Sequence, residues 1–267
     1  MLFLNWMACN SAQLTSIGCL LFFSCLFYQF SGSISNQAAD LIVCASVCNN
    51  PVDIAIDPTN DDLYIADHGN NRVSRFGPIS TLPTNSPAIA VFGQPNFGSN
   101  TPGGGPGGLN SPWGIFVDQE GTLWASDGGN NRVLWFHNVS QRLNGSSADG
   151  VLGQADFSQN SPGLGATGMD APVGLLVDQY GSLWVVDSSH HRVLRFDNAS
   201  TLSNGSAASG VLGQPTFDSY QPGLAPNGMY GPNKLNIAPD GSLFVADDYN
   251  NRIVSISLPP PPQTNFV

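Results

Sequence analysis

The sequence predicts an all-β fold, a β-propeller of about four blades, and three observations predict it. A 60-residue unit repeats almost without drift: Asp67, Asp127, Asp187 and Asp247 are evenly spaced, as are Arg72, Arg132, Arg192 and Arg252. A period this long, with β-like segments inside it, marks a propeller or solenoid rather than one ordinary core. Gly (30) and Pro (20) are abundant while charged residues are 10% of the 267, as suits many short strands joined by turns.

The chain opens on residues 17–30 (IGCLLFFSCLFYQF), a nearly unbroken apolar run. It is short for a membrane span of about 20 residues and has the make-up of a signal-peptide core. Ser31, Ser33 and Ser35 supply small residues for cleavage, so residues 1–35 are expected to be a signal peptide. No Lys or Arg precedes the run, which leaves an uncleaved anchor, with the propeller outside, as the alternative. Four Asn-x-Ser/Thr sequons, at Asn138, Asn144, Asn198 and Asn204, fit an exported, glycosylated protein. All five cysteines precede the repeats, and Cys44 and Cys48 are the pair expected to form a local disulfide.

Within 172–196 (PVGLLVDQYGSLWVVDSSHHRVLRF) the pattern reads as three strands. A buried strand ends at Asp178 and a tight turn follows. A second strand ends at Asp187, and a third carries Val193 and Arg195 on the opposite face from Leu194 and Phe196. A fourth short strand, GVLGQ at 210–214, recurs as AVFGQ at 90–94 and GVLGQ at 150–154. Four antiparallel strands make a propeller blade. The repeats span 51–258, and the Pro-rich tail 259–267 cannot continue a ladder. The last unit thus has three strands. Residues 36–50, with DLIVCASV at 40–47, are a candidate closing strand; an open ring, or one shared between two chains, is the alternative.

These repeats resemble the NHL repeat, on LYIADHGNNRVSRF (63–76), LWASDGGNNRVLWF (123–136), LWVVDSSHHRVLRF (183–196) and LFVADDYNNRIVSI (243–256). The third copy departs, with His190 and His191 in place of the Asn pair. The resemblance implies a β-propeller. It also implies a choice among interaction modules, extracellular sensor domains and a metal-dependent lyase.

The repeated Asp and Arg residues are expected to be architecture. The alternative is a ring of carboxylates near the axis, which would suit calcium. No other cofactor is expected, and the four histidines make no zinc site. Trp124 and Trp184 recur at the position of Tyr64 and Phe244 and are expected to pack between blades. Trp113 and Trp135 have no aromatic equivalents, and with His190 they are the candidate partner contacts. The net charge of −11 opposes a phosphate backbone, so nucleic acid is not an expected partner. The expectation is a secreted or cell-surface, non-catalytic module for a protein or glycan partner, touching membrane only through an uncleaved anchor. A metal-dependent lyase- or lactonase-like propeller is the alternative.

Overall fold

The computed structural model describes residues 41–44 and 47–258. The signal segment and the tail 259–267 lie outside them. Fifteen strands form four antiparallel sheets. The first blade holds β1 (Pro51–Ile56), β2 (Asp62–Asp67), β3 (Arg72–Pro78) and β4 (Ala90–Phe92). The second holds β5 (Pro112–Val117), β6 (Leu123–Asp127), β7 (Arg132–Phe136) and β8 (Gly150–Leu152). The third holds β9 (Pro172–Val177), β10 (Leu183–Asp187), β11 (Arg192–Phe196) and β12 (Gly210–Leu212). The fourth stops at three strands, β13 (Pro232–Ile237), β14 (Leu243–Asp247) and β15 (Arg252–Ile256).

Local chemistry explains the strand boundaries. Proline opens each first strand, where its missing N–H costs the ladder least. In the second blade Asp118 turns the chain by accepting the N–H groups of Glu120 and Thr122 on Oδ1, and Gly121 takes the left-handed conformation that the turn requires. In the first blade, one residue longer here, Asp57 accepts from Thr59 and Asp61 adopts positive φ. The fourth blade has Ala238 in place of that Asp, and Asp240 accepts from Ser242 instead.

Period-two alternation decides how blades stack. One face of each blade, bearing the residues of the Tyr64 and Val73 type, packs on the next blade's opposite face. Ala55, Tyr64 and Val73 meet Ile115, Leu134 and Phe136 in one such core. Trp124, Val133 and Trp135 meet Leu175, Leu194 and Phe196 in the second. Leu176, Trp184 and Val193 meet Leu243 and Val245 in the third. Trp124 and Trp184 thus lie between blades, each donating its indole N–H to Asp118 or Asp178 (2.8 and 2.9 Å). The first and last blades keep one face each without this cover: Ile54 and Ile56 on one, Phe244 and Ile253 on the other, are exposed. A Lys234–Asp53 ion pair (2.6 Å) ties β13 to β1, but no ladder joins them among the described residues.

The closing strand expected from residues 36–50 falls partly outside the described residues. Residues 41–44 and 47–50 carry no strand and add nothing to the fourth sheet. They lie instead on the first blade, where Val43, Cys44 and Cys48 pack on Leu63, Ile65 and Phe76. Cys44 and Cys48 are disulfide-bonded. In later blades Leu109, Met169 and Met229 occupy the register of Cys48 and press against Gly93, Gly153 and Gly213 of the preceding blade. Among the described residues the first blade has no such predecessor, and the disulfide ties the segment there. Replacing both cysteines by serine is expected to lower stability by about 2 kcal/mol, the closure entropy of so short a loop, read as an earlier urea midpoint.

Candidate functional site

In every blade the second strand ends in an Asp, followed by a three-residue 3₁₀ turn, a left-handed residue and an Arg. The Asp accepts on all sides. Oδ1 takes a backbone N–H from the incoming linker: Asn49, Asn110, Asp170 and Tyr230 donate to Asp67, Asp127, Asp187 and Asp247 at 2.6–2.7 Å. Oδ2 takes the Arg Nε–H at 2.7–2.8 Å. It also takes a side chain from the turn, Asn70, Asn130, His190 or Asn250, at 2.8–3.0 Å. The guanidinium then donates to linker carbonyls; Arg132 reaches Phe157, Gly105 and Gly108. In the second and third blades each Asp–Arg node pins both the incoming and the outgoing linker, and in the fourth, among the described residues, the incoming one alone. Among the described residues no group of three His, Cys, Asp or Glu is placed to hold a metal.

Burial pushes the Asp127 carboxyl up to about 6, against the pull of Arg132, Asn130 and the Asn110 N–H. A folded-state value above the ordinary 3.8 means that the folded chain binds this proton more tightly than the unfolded chain does. The stability it contributes is full below 3.8 and is lost as pH rises through 6. The difference in urea midpoint between wild type and Asp127→Asn is therefore expected to move against wild type between about pH 4 and about pH 7.

The two histidines of the third copy each keep one of the bonds made by the asparagine they replace, and neither keeps the other, the amide donation to a linker carbonyl made by Asn130 to Gly103 and by Asn131 to Asn160. His190 Nδ1–H donates to Asp187 as Asn130 does to Asp127. Asn71 and Asn131 accept, on Oδ1, the N–H of Ser111 and Ala171 in the next blade. His191 Nδ1 accepts that of Gly231 (3.1 Å). In the tautomer that keeps the acceptor role of Asn71 and Asn131, Nδ1 carries a lone pair, and its 3.2 Å approach to the Ser188 carbonyl is then a contact rather than a bond. Burial holds the His191 imidazole below its usual range, consistent with a neutral ring.

The candidate contacts separate. Trp135 is 3% exposed and lies against Trp124, its ring centroid 5.5 Å away and its edge filling the space over Gly150. It has no surface to offer a partner. Trp113 is 39% exposed at the start of β5, edge-on to His68 at 4.8 Å, where the 3₁₀ turns and the starts of the first strands form one loop face. The four sequon asparagines are exposed. Asn144 and Asn204 already use Oδ1 to bind Val91 and Val151 of the preceding blade, whereas Asn138 and Asn198 are left-handed turn residues with no such tie.

Sequence reasoning missed three tyrosines on the loop face: Tyr220, Tyr230 and Tyr249. Tyr230 lies edge-on to His191 (5.1 Å) and to Tyr249 (5.0 Å), and Tyr220 is 6.4 Å from His190. The signal was present, since none of the three positions is aromatic in another copy of the repeat.

The NHL repeat family model matches residues 49–76 and 109–136. Over 223 residues the chain is 25% identical to Protein SUPPRESSOR OF QUENCHING 1, chloroplastic, of Arabidopsis thaliana, covering 79% of this chain and 19% of that one. It thus spans about a fifth of the length of that relative. A Bacteroides thetaiotaomicron protein of unknown function aligns with a TM-score of 0.50 at 15% identity, over 76% of this chain and 46% of its own. A catalytically inactive virginiamycin B lyase from Staphylococcus aureus aligns with a TM-score of 0.46 at 13% identity, over 81% and 58%.

Proposed function

We propose, from the premise that this chain is an NHL-repeat β-propeller, that it is an exported, non-catalytic binding module for a protein or glycan partner. One observation carries the reading: the charged groups repeated in every blade are consumed in holding linkers, while Trp113, which has no aromatic equivalent in another blade, stands exposed on the loop face. Trp113, beside His68, is the residue assigned to partner contact; Val52 and Val173 hold its place in neighbouring copies. The apolar run at 17–30, the sequons and the Cys44–Cys48 disulfide support export, since disulfides persist in oxidising compartments.

The test presents the purified chain and Trp113→Val to arrays of extracellular proteins and glycans. Binding that weakens at least about tenfold in the variant, with an unchanged melting temperature, is the expected result; a lost aromatic anchor costs about that much. Turnover of a lactone or peptide substrate that depends on added calcium or zinc would overturn the reading. Export is tested by fusing residues 1–40 to a reporter: retention of the reporter in the cytoplasm refutes it.

A further inference from the structure

The boundary between the third and fourth blades departs from the repeat in one consistent way. Five ring-bearing side chains stand where the first two blades carry none. Tyr220 takes the register of Asn100 and Asn160, and Tyr230 that of Asn49 and Asn110. Tyr249 takes that of Gly69 and Gly129, and His190 and His191 those of the asparagine pair. The frame asks for small polar residues here, so the tyrosines are not needed to build the blade.

The tertiary structure joins them. Tyr249 meets Tyr230 and Tyr230 meets His191, while His190, the chain neighbour of His191, faces Tyr220; the three ring pairs are edge-on at 5.0–6.4 Å. Tyr220, Tyr230 and Tyr249 are 51%, 40% and 64% exposed. Rings set at 63–85° to one another do not cover each other's faces as a stacked pair would. The two histidines are anchored from behind by Asp187 and Gly231, which fixes the strip's floor.

Charge identifies the occupant. The chain has 8 Lys and Arg against 19 Asp and Glu. All eight cations are ion-paired with a carboxylate of the chain. The surface field is therefore set by the remaining acids. Two of these, Asp218 and Asp248, are exposed and within two residues of Tyr220 and Tyr249. Exposed aromatic rings on a net-acidic surface favour a cation, which gains from the ring quadrupole and from the negative field together. Tyrosine supplies this contact area with little rotamer entropy to lose.

We propose that the strip Tyr220–His190–His191–Tyr230–Tyr249 is a docking site for a basic, arginine- or lysine-bearing segment of a protein partner. It rests on the binding-module reading but not on Trp113, so the two can fail separately.

The experiment titrates the full chain into fluorescein-labelled hexa-arginine and follows anisotropy at about 0.15 M salt, where long-range surface attraction is screened. The triple variant Tyr220→Asn/Tyr230→Asn/Tyr249→Gly places at each position a residue that the fold already accepts in an earlier blade. It is expected to bind at least about tenfold more weakly, as three lost ring–cation contacts imply. Tyr249→Gly alone, the least disturbing change, is expected to weaken binding about threefold. Asp218→Asn/Asp248→Asn is expected to weaken it too, whereas Glu120→Gln/Asp156→Asn, which removes equal charge elsewhere, is not. Any of three results overturns the proposal: no binding by wild type, equal binding by Tyr249→Gly and the triple variant, or equal losses from the near and distant charge pairs. The Trp113→Val array result is independent of all three.

Discussion

Arg132→Ala is expected to destabilise the protein by about 3–5 kcal/mol, the cost of removing one partner from a buried ion pair. The Arg132 and Asp127 side chains are both fully buried. Without the guanidinium the Asp127 carboxylate keeps only the Asn110 and Asn130 donors, and the carbonyls of Phe157, Gly105 and Gly108 lose theirs. Lysine does not repair this, because a single ammonium cannot reproduce a fork that binds a carboxylate on one side and three carbonyls on the other. The same substitution at the same register of the last blade is expected to be mild. The Arg252 side chain is 28% exposed, and its Nη1 turns to the carbonyl of Leu224 rather than to that of a phenylalanine on the fourth-strand segment. Arg252→Ala should cost about 1 kcal/mol, in line with a partly solvated pair. Urea unfolding of the two variants checks the contrast; equal losses would mean that sequence register, not burial, sets the strength of the node.

Gly114→Ala carries the second large effect. A Cβ at Gly114 would stand 2.2 Å from the Val173 carbonyl oxygen, which is backbone and cannot rotate away. A Cβ at Gly174 would likewise stand 2.7 Å from the Asn233 carbonyl oxygen in the next pair of blades. Strands β5 and β9 approach this closely because only hydrogen separates them. Adding a methyl must push two blades apart and loosen the core of Trp124, Leu175 and Val185. A loss of at least about 3 kcal/mol is expected, at or beyond the upper end for overpacking, since the obstacle is main chain. Gly77→Ala, where nothing lies within 4 Å, should stay within about 0.5 kcal/mol. Thermal melts of the pair decide it: a neutral Gly114→Ala would show that the first strands have slack.

Much of this was legible in the sequence because repetition makes the chain its own comparison. The spacing of Asp67, Asp127, Asp187 and Asp247 announced four equal units, and alternation in RVLRF assigned Val193 and Leu194 to opposite cores. The architectural role of Asp and Arg also followed, since a group present in every blade serves every blade. Trp135 was misjudged by the same logic. Being unlike its equivalents made it a candidate contact, yet a ring on an inner strand can be singular only because Gly150 opposite it leaves room. Singularity marks a site when the side chain reaches solvent, and exposure is not written in the repeat.

The sequence by itself determined the strand periodicity, the blade count and the residues that turn the chain, because those depend on chemistry within a few positions of one another. Only the tertiary structure decided which faces are left uncovered, that the Cys44–Cys48 segment rests on the first blade instead of completing the fourth, and that Tyr220 faces His190 while Tyr230 meets both His191 and Tyr249. Tyr220 and Tyr230 lie on the linker between β12 and β13, Tyr249 on the turn after β14, and the histidines on the turn after β10. What brings them together is the packing of one blade on the next, a contact between distant segments that no local pattern encodes.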